Sequence, residues 1–250
     1  MAKKFDLKQA IPYGIGVILA FFSLILQFTY FSIMFGDGKF LPHFGIGFPI
    51  KFEYLSYMFE SGFHPEYMCF FISSVLYFFV PLTLMLVIAG KYLIDNFKPE
   101  YSKKFNYLLA LPFVLLFIDR LIAFCGNSMM TLQLLTMSIT SFDPTGILRV
   151  VFILVVDLLL VVTPALVLLA ILVGFKKPKF NFIVFISPII ALVIFIVSNV
   201  LTIIGDVLVG TPFYIDFTTP SAQFLLFLSI ACVYAIPVFK AIKERKSVTK

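Results

Sequence analysis

Six stretches of mostly apolar residues dominate this sequence, and each is long enough to cross a bilayer. They run over about Ile11–Phe35, Cys69–Gly90, Asn106–Phe124, Leu148–Val173, Asn181–Ile204 and Ser221–Phe239. A helix rises 1.5 Å per residue, so roughly 20 such residues span a hydrocarbon core about 30 Å thick. The runs are continuous rather than alternating, which argues against membrane-spanning strands. Composition agrees: 61% of the chain is hydrophobic and only 13% charged, with a mean hydropathy of +1.07. A globule of 250 residues with so little charge could not cover its own surface. The expectation is therefore an all-α, polytopic membrane helix bundle, with six transmembrane helices in a single domain over 1–250. Membrane lipids are its solvent, in the cell membrane. The first run is too long for a removable signal peptide and lacks a small-residue cleavage site, so it reads as a retained anchor.

Orientation follows from the positions of Lys and Arg in short loops. Lys3, Lys4 and Lys8 precede the first run; Lys91, Lys98, Lys103 and Lys104 follow the second; Lys176, Lys177 and Lys179 follow the fourth. Lys240, Lys243, Arg245, Lys246 and Lys250 close the chain, bringing this side to 15 of the 19 basic residues. The opposite side carries Lys39, Lys51 and Arg149 against Asp37, Glu53, Glu60, Glu66, Asp143, Asp206 and Asp216. An even number of crossings with both termini cytoplasmic satisfies every loop.

The net charge of +6 does not point to nucleic acid, because the charges flank apolar segments and form no basic stripe interleaved with aromatics. Cys69, Cys125 and Cys232 form no metal-ligand spacing. Cys69 and Cys125 fall near the outer ends of predicted helices, where either a disulfide or free thiols would fit. His43 and His64 are the only histidines, and both lie in the first outer segment. A haem between helices needs axial ligands within them, so no metal or other cofactor is expected. Catalytic triads, phosphate-binding loops and zinc-protease signatures do not occur in the sequence.

Three ionisable residues remain inside the apolar runs, and such positions are functional candidates by default. Asp119 lies roughly 20 Å along its run from Asn106, and Asp157 roughly 13 Å from Leu148. On those run edges the two sit at similar depths on consecutive antiparallel helices. The expected arrangement pairs Arg120 with Asp157, while Asp119 faces another helix or the outer interface. It reads either as a substrate or proton pocket opening outward or as a buried ion pair that fixes helix register. Gln27, Ser198 and Asn199 lie in the outer halves of the first and fifth runs. They either join this pocket or make ordinary interhelical hydrogen bonds.

Prolines recur at matching places: Pro12, Pro112 and Pro188 near the cytoplasmic starts of odd-numbered helices, and Pro81, Pro164 and Pro237 in the cytoplasmic halves of even-numbered ones. Odd-numbered helices leave the membrane at Gly36-Asp37, Gly126-Asn127 and Gly205-Asp206. Three helical-hairpin repeats would produce this pattern, as in many transporters; so would prolines placed for packing. The longest outer segment, Gly36–Met68, is semi-apolar, and Phe52–Phe59 within it reads as a surface loop or a re-entrant stretch.

Four short stretches resemble the YwaF-like family of bacterial integral membrane proteins. Pro65-Glu66-Tyr67-Met68-Cys69 is similar to a Pro-x-x-Leu-Cys element, and Leu132-Gln133-Leu134-Leu135-Thr136 to a Leu-Gln-x-Leu-Leu-Thr-Pro stretch. Asp157 stands where that family commonly has a helix histidine, and Asp206 through Tyr214 is similar to an Asn-x-x-x-Gly-Thr-Asn-Tyr element. The departures are Tyr67 for a polar residue, Met137 for proline and aspartate for histidine. The resemblance implies a lipid acyltransferase-type enzyme with Cys69 as nucleophile. A thiol needs a base or a lowered pKa to attack, and an aspartate in place of the histidine is a poor base for it.

Three function classes stand on the sequence. A transporter or permease-like protein accounts for the intramembrane charges and prolines. A non-catalytic subunit of a membrane complex needs no special residue and would have protein subunits as partners. The acyltransferase-type enzyme rests on Cys69.

Overall fold

A computed structural model describes residues 7–36, 39–60, 62–174 and 176–248. Lys3, Lys4, Asp37 and Lys250, which entered the orientation argument, lie outside the described residues. The chain runs α1 (Leu7–Gln27), β1 (Thr29–Gly36), β2 (Lys39–Ile46), α2 (Glu53–Tyr57), α3 (Pro65–Phe97), α4 (Ser102–Phe105), α5 (Leu111–Thr140), α6 (Pro144–Gly174), α7 (Asn181–Val209), β3 (Phe213–Asp216) and α8 (Thr218–Val248). Short 3-10 turns begin at Pro99, Asn106 and Pro178. Among the described residues, six helices are long and apolar enough to cross a membrane, so this is a multi-pass membrane protein.

Proline opens α3 and α6 and lies in the first turn of α5, positions where its missing N–H leaves nothing unsatisfied. Gly210 ends α7 in the left-handed region at φ 71°, and the Gly210 and Thr211 amides bond back to Val207 and Asp206. Asp143 caps α6: its carboxylate accepts from the Thr145 amide at 3.1 Å and the Thr145 hydroxyl at 2.6 Å. Hydrogen bonds from Thr145 and the Gly146 backbone hold that carboxyl below the usual carboxylate range.

Each long helix packs against its neighbours in sequence, and α1 packs against α8, so the six close into a ring in chain order. Pairings across the ring are antiparallel. Tyr13 meets Asp95 and Gln27 meets Tyr77 between α1 and α3; Ser229 donates to the Gly16 carbonyl and Ser23 to that of Ala222 between α1 and α8. Small residues permit the close approaches on which membrane helices depend. A Cβ on Gly126 would lie 3.0 Å from the Cys69 Cβ and 3.2 Å from the Glu66 carbonyl. Outward faces are apolar: Ile11, Ile15, Ile18, Phe22 and Ile25 are exposed along one stripe of α1, as lipid contact requires.

The ring is dry in one half and polar in the other. The half nearer the ends of the chain is filled by Leu84, Ile88, Phe113, Leu116, Phe227 and Ile230, all fully buried. Phe113 and Phe227 meet ring to ring at 5.8 Å. The far half holds Ser73, Asp119, Asn127, Asp157, Ser198 and Gln27, and a three-stranded antiparallel sheet lies at its end, in the order β2-β1-β3.

That sheet corrects the reading of the first run. The helix does not continue to Phe35; it stops at Gln27, and the chain leaves as β1. Thr29, Tyr30, Phe31 and Ile33 are β-branched or aromatic and suit a pleated surface, whereas hydropathy cannot separate a short apolar strand from helix. The six-span all-α bundle is thus as expected, with the addition of a small three-stranded sheet at one end. The third helix also runs on past Phe124 to Thr140, because neither Gly126-Asn127 nor anything after it breaks the helix; α7 likewise passes through Gly205-Asp206. Within the first outer segment, α2 docks on the start of α3 through Tyr54 against Tyr67 and Phe70, and Phe52 against Phe71.

Candidate functional site

The polar half is organised around Arg120. Its Nε donates to Asp119 Oδ2 at 2.8 Å, and Asp119 also accepts from Ser73 Oγ at 2.5 Å. Asp119 is fully buried. The guanidinium carbon lies over the Tyr77 ring, 4.9 Å from its centroid, a geometry in which the ring quadrupole attracts the cation. Tyr77 is tied in turn to α1, since Gln27 Nε2 donates to its carbonyl at 3.0 Å. One residue each from α1 and α5 and two from α3 thus hold the cation in place.

Two cavities meet at this cation. The larger, about 480 Å³, lies between the sheet and the helices and is lined by Gln27, Ser32, Lys51, Ser73, Tyr77 and Tyr214 among others. The smaller, about 200 Å³, reaches between α6, α7 and α8 past Thr163, Ser198, Asn199 and Gln223. Arg120, Asp216 and Thr219 line both. Two polar atoms facing this region lack partners among the described residues: Gln27 Oε1, and the Ser198 Oγ, whose residue is 7% exposed. Buried polar atoms are normally bonded to protein or water; the unmet Gln27 oxygen belongs to the larger cavity and the unmet Ser198 hydroxyl to the smaller.

Local sequence explains how the sheet contributes. Side chains alternate along a strand, so Tyr30 and Ser32 share one face of β1 and their cross-strand partners include Asp216 opposite Ser32. The other face carries Phe31 and Phe35, which pack on Phe217 and Phe213. The polar face lines the larger cavity. Asp216 Oδ1 accepts from the Thr218 amide at 2.8 Å, fixing the strand to the start of α8. Lys51 stands at the same cavity, with Glu53 3.9 Å from its ammonium. Burial pushes the nearby Tyr54 hydroxyl above its ordinary pKa, with the Glu53 charge adding to the effect.

Of the residues singled out from sequence, Gln27, Arg120 and Asn199 line the connected cavities, and Asp119 stands behind Arg120 as its counter-ion. Asn199 keeps its own amide on the Phe195 carbonyl at 2.9 Å. The expected pairing of Arg120 with Asp157 is not what the structure holds. Asp157 accepts from Asn127 at 3.0 Å, and its second oxygen has no partner among the described residues. The reason is register. A tight turn at Ser141–Asp143 joins α5 to α6 and sets Asp157 level with Asn127, seven residues and about 10 Å farther along than Arg120. Depths counted from the edges of the apolar runs missed this, because α5 extends well past its run.

Sequence reasoning overlooked Ser73, Tyr77 and Asp216 as site residues. Asp216 carried a weak signal, the alternation Phe213-Tyr214-Ile215-Asp216 between Pro212 and a helix; Ser73 and Tyr77 carried none. A second ion pair, Arg149 with Asp206 at 2.8 Å, joins α6 to α7 away from the cavities. All three cysteines are free. Cys69 packs against Gly126, and the ionisable groups near its thiol are Cys125 and Glu66. His64 lies 3.1 Å from Glu66, and no cluster of three metal-ligating side chains occurs among the described residues.

No protein-family model, curated protein or solved structure matches the chain.

Proposed function

We propose that the protein is a small-solute transporter of the permease type, which takes its solute at Arg120 from a chamber facing out of the cell, with both termini in the cytoplasm. The observation that carries this reading is a guanidinium held by Asp119 and Tyr77 at the junction of two cavities, in a bundle whose other half is sealed by Phe113 and Phe227. A buried pair serving only to fix register would be packed in on all sides. Here the cation faces open volume, and a pocket with a few convergent polar groups is where a ligand is expected.

The test is cysteine labelling in intact cells, in a background with Cys69, Cys125 and Cys232 replaced by Ala. Asp216→Cys and Asn199→Cys react quickly with a membrane-impermeant maleimide, and Leu116→Cys in the plug reacts slowly, as the carrier passes through its other state. Protection of all three positions identifies a sealed bundle, as a structural subunit of a complex would have. Rapid labelling in the chamber with a plug that never reacts identifies a binding protein that does not transport. Either result overturns the proposal.

A further inference from the structure

The chamber is unusual in facing two opposite charges that do not satisfy one another. Arg120 and Asp216 line the same two cavities, yet the ion-pair partner of Arg120 among the described residues is Asp119. That contact uses Nε, which leaves the terminal nitrogens of the guanidinium for something else. Asp216 accepts from the Thr218 amide and has no cation within ion-pair distance among the described residues. Tyr30, Tyr77 and Tyr214 line the larger cavity with them. Lys51 already has Glu53 beside it.

A simple anion placed here would meet Arg120 but also the bare Asp216 carboxylate. A simple cation would meet Asp216 but also Arg120. A solute that carries both charges on one short skeleton meets neither penalty. Its carboxylate or phosphate takes the free end of the guanidinium fork, where charge-assisted bonds are strongest, and its ammonium pairs with Asp216. Accordingly, and resting on the reading of this chamber as the solute site, we infer that the ligand class is zwitterionic: an amino acid or a betaine in free form, or the headgroup of a zwitterionic phospholipid.

The experiment uses the full chain in nanodiscs of phosphatidylglycerol, which supply no zwitterionic headgroup. Equilibrium binding is measured for glycine, β-alanine and 4-aminobutyrate, and for the single-charge analogues propionate and propylamine. At least one zwitterion binds roughly tenfold or more tighter than both analogues, the size of effect expected from losing a bond to a charged group. In Asp216→Asn the preference over propionate disappears, because zwitterion binding weakens while propionate binding holds or tightens. This variant preserves the shape of a side chain in a short strand and leaves the Arg120 cluster untouched; an unchanged melting temperature verifies its folding. Competition by added phosphatidylethanolamine assigns the chemistry to a lipid headgroup, and lack of competition to a free solute. Propionate or propylamine binding as tightly as every zwitterion overturns the inference and leaves the solute site standing. Asp216→Cys protected from aqueous reagent, with no probe bound, removes the site itself.

Discussion

Asp119 and Arg120 are neighbours in sequence and partners in space, which makes them a pair that mutation can take apart cleanly. Removing the cation alone, as in Arg120→Leu, leaves a fully buried carboxylate with only Ser73 to satisfy it. Stranding a buried charge costs about 3–5 kcal/mol, so the variant should melt well below the parent in detergent. Adding Asp119→Asn should recover most of that loss, and a double variant no more stable than the single one would show the pair is not coupled. These residues were visible in the sequence because a charge inside an apolar run is conspicuous whatever the fold. Their partners were not visible. Which carboxylate Arg120 meets depends on the register of α5 against α6, and that register is set by the turn at Ser141–Asp143, some twenty residues away. Asp216 escaped notice for the opposite reason: among the acids of the polar loops, only the faint strand alternation before it distinguishes it.

Elements were legible wherever length and hydropathy decide, and illegible where the apolar signal is shared by two kinds of backbone. Five of the six apolar runs lie within, or nearly within, single helices, whereas the first divides between α1 and β1. The hairpin of β1 with β2 has its own constraint, since a side chain at Gly45 would run into the ring of Tyr30, its partner in register. Two helix contacts give sharper tests. Gly126→Leu places a branched side chain against Phe70, Cys69 and the Glu66 backbone. Overpacking of that kind typically costs about 1–3 kcal/mol, readable as a lowered melting temperature. Phe142, in the turn between α5 and α6, adopts φ 53° and is 91% exposed. A bulky side chain in the left-handed region is strained, so Phe142→Gly should stabilise the protein by about 1 kcal/mol. A fall in melting temperature would mean that the phenyl ring contributes a contact outweighing the strain.

At the scale of the whole molecule, the apolar layer of Phe113 and Phe227 lies between two polar chambers. One surrounds Arg120; the other, about 580 Å³, lies at the opposite end, where Lys91 bonds Asp95 and Ser102 and Tyr13 donates to Asp95. Phe113→Ala opens a void in the layer between them. It should cost about 3–5 kcal/mol, as truncations of buried aromatics do, and should let an aqueous reagent reach Leu116→Cys faster than in the parent; an unchanged labelling rate would show that this layer is not the barrier. The order of helices around the ring has a consequence of another kind. Because every long helix touches its neighbours in sequence and the last touches the first, no segment passes over another to complete the bundle. The order is circular, so the place where the chain is cut is arbitrary as far as packing is concerned. A rearranged gene that starts at Ser102, with a flexible tether carrying α8 back into α1, encodes the same set of neighbours. It should insert and give a monodisperse protein with the Asp216→Cys site still reactive. A cut placed inside the paired strands, at Ile33, should not, since it divides a backbone ladder whose bonds run between chain segments rather than along them.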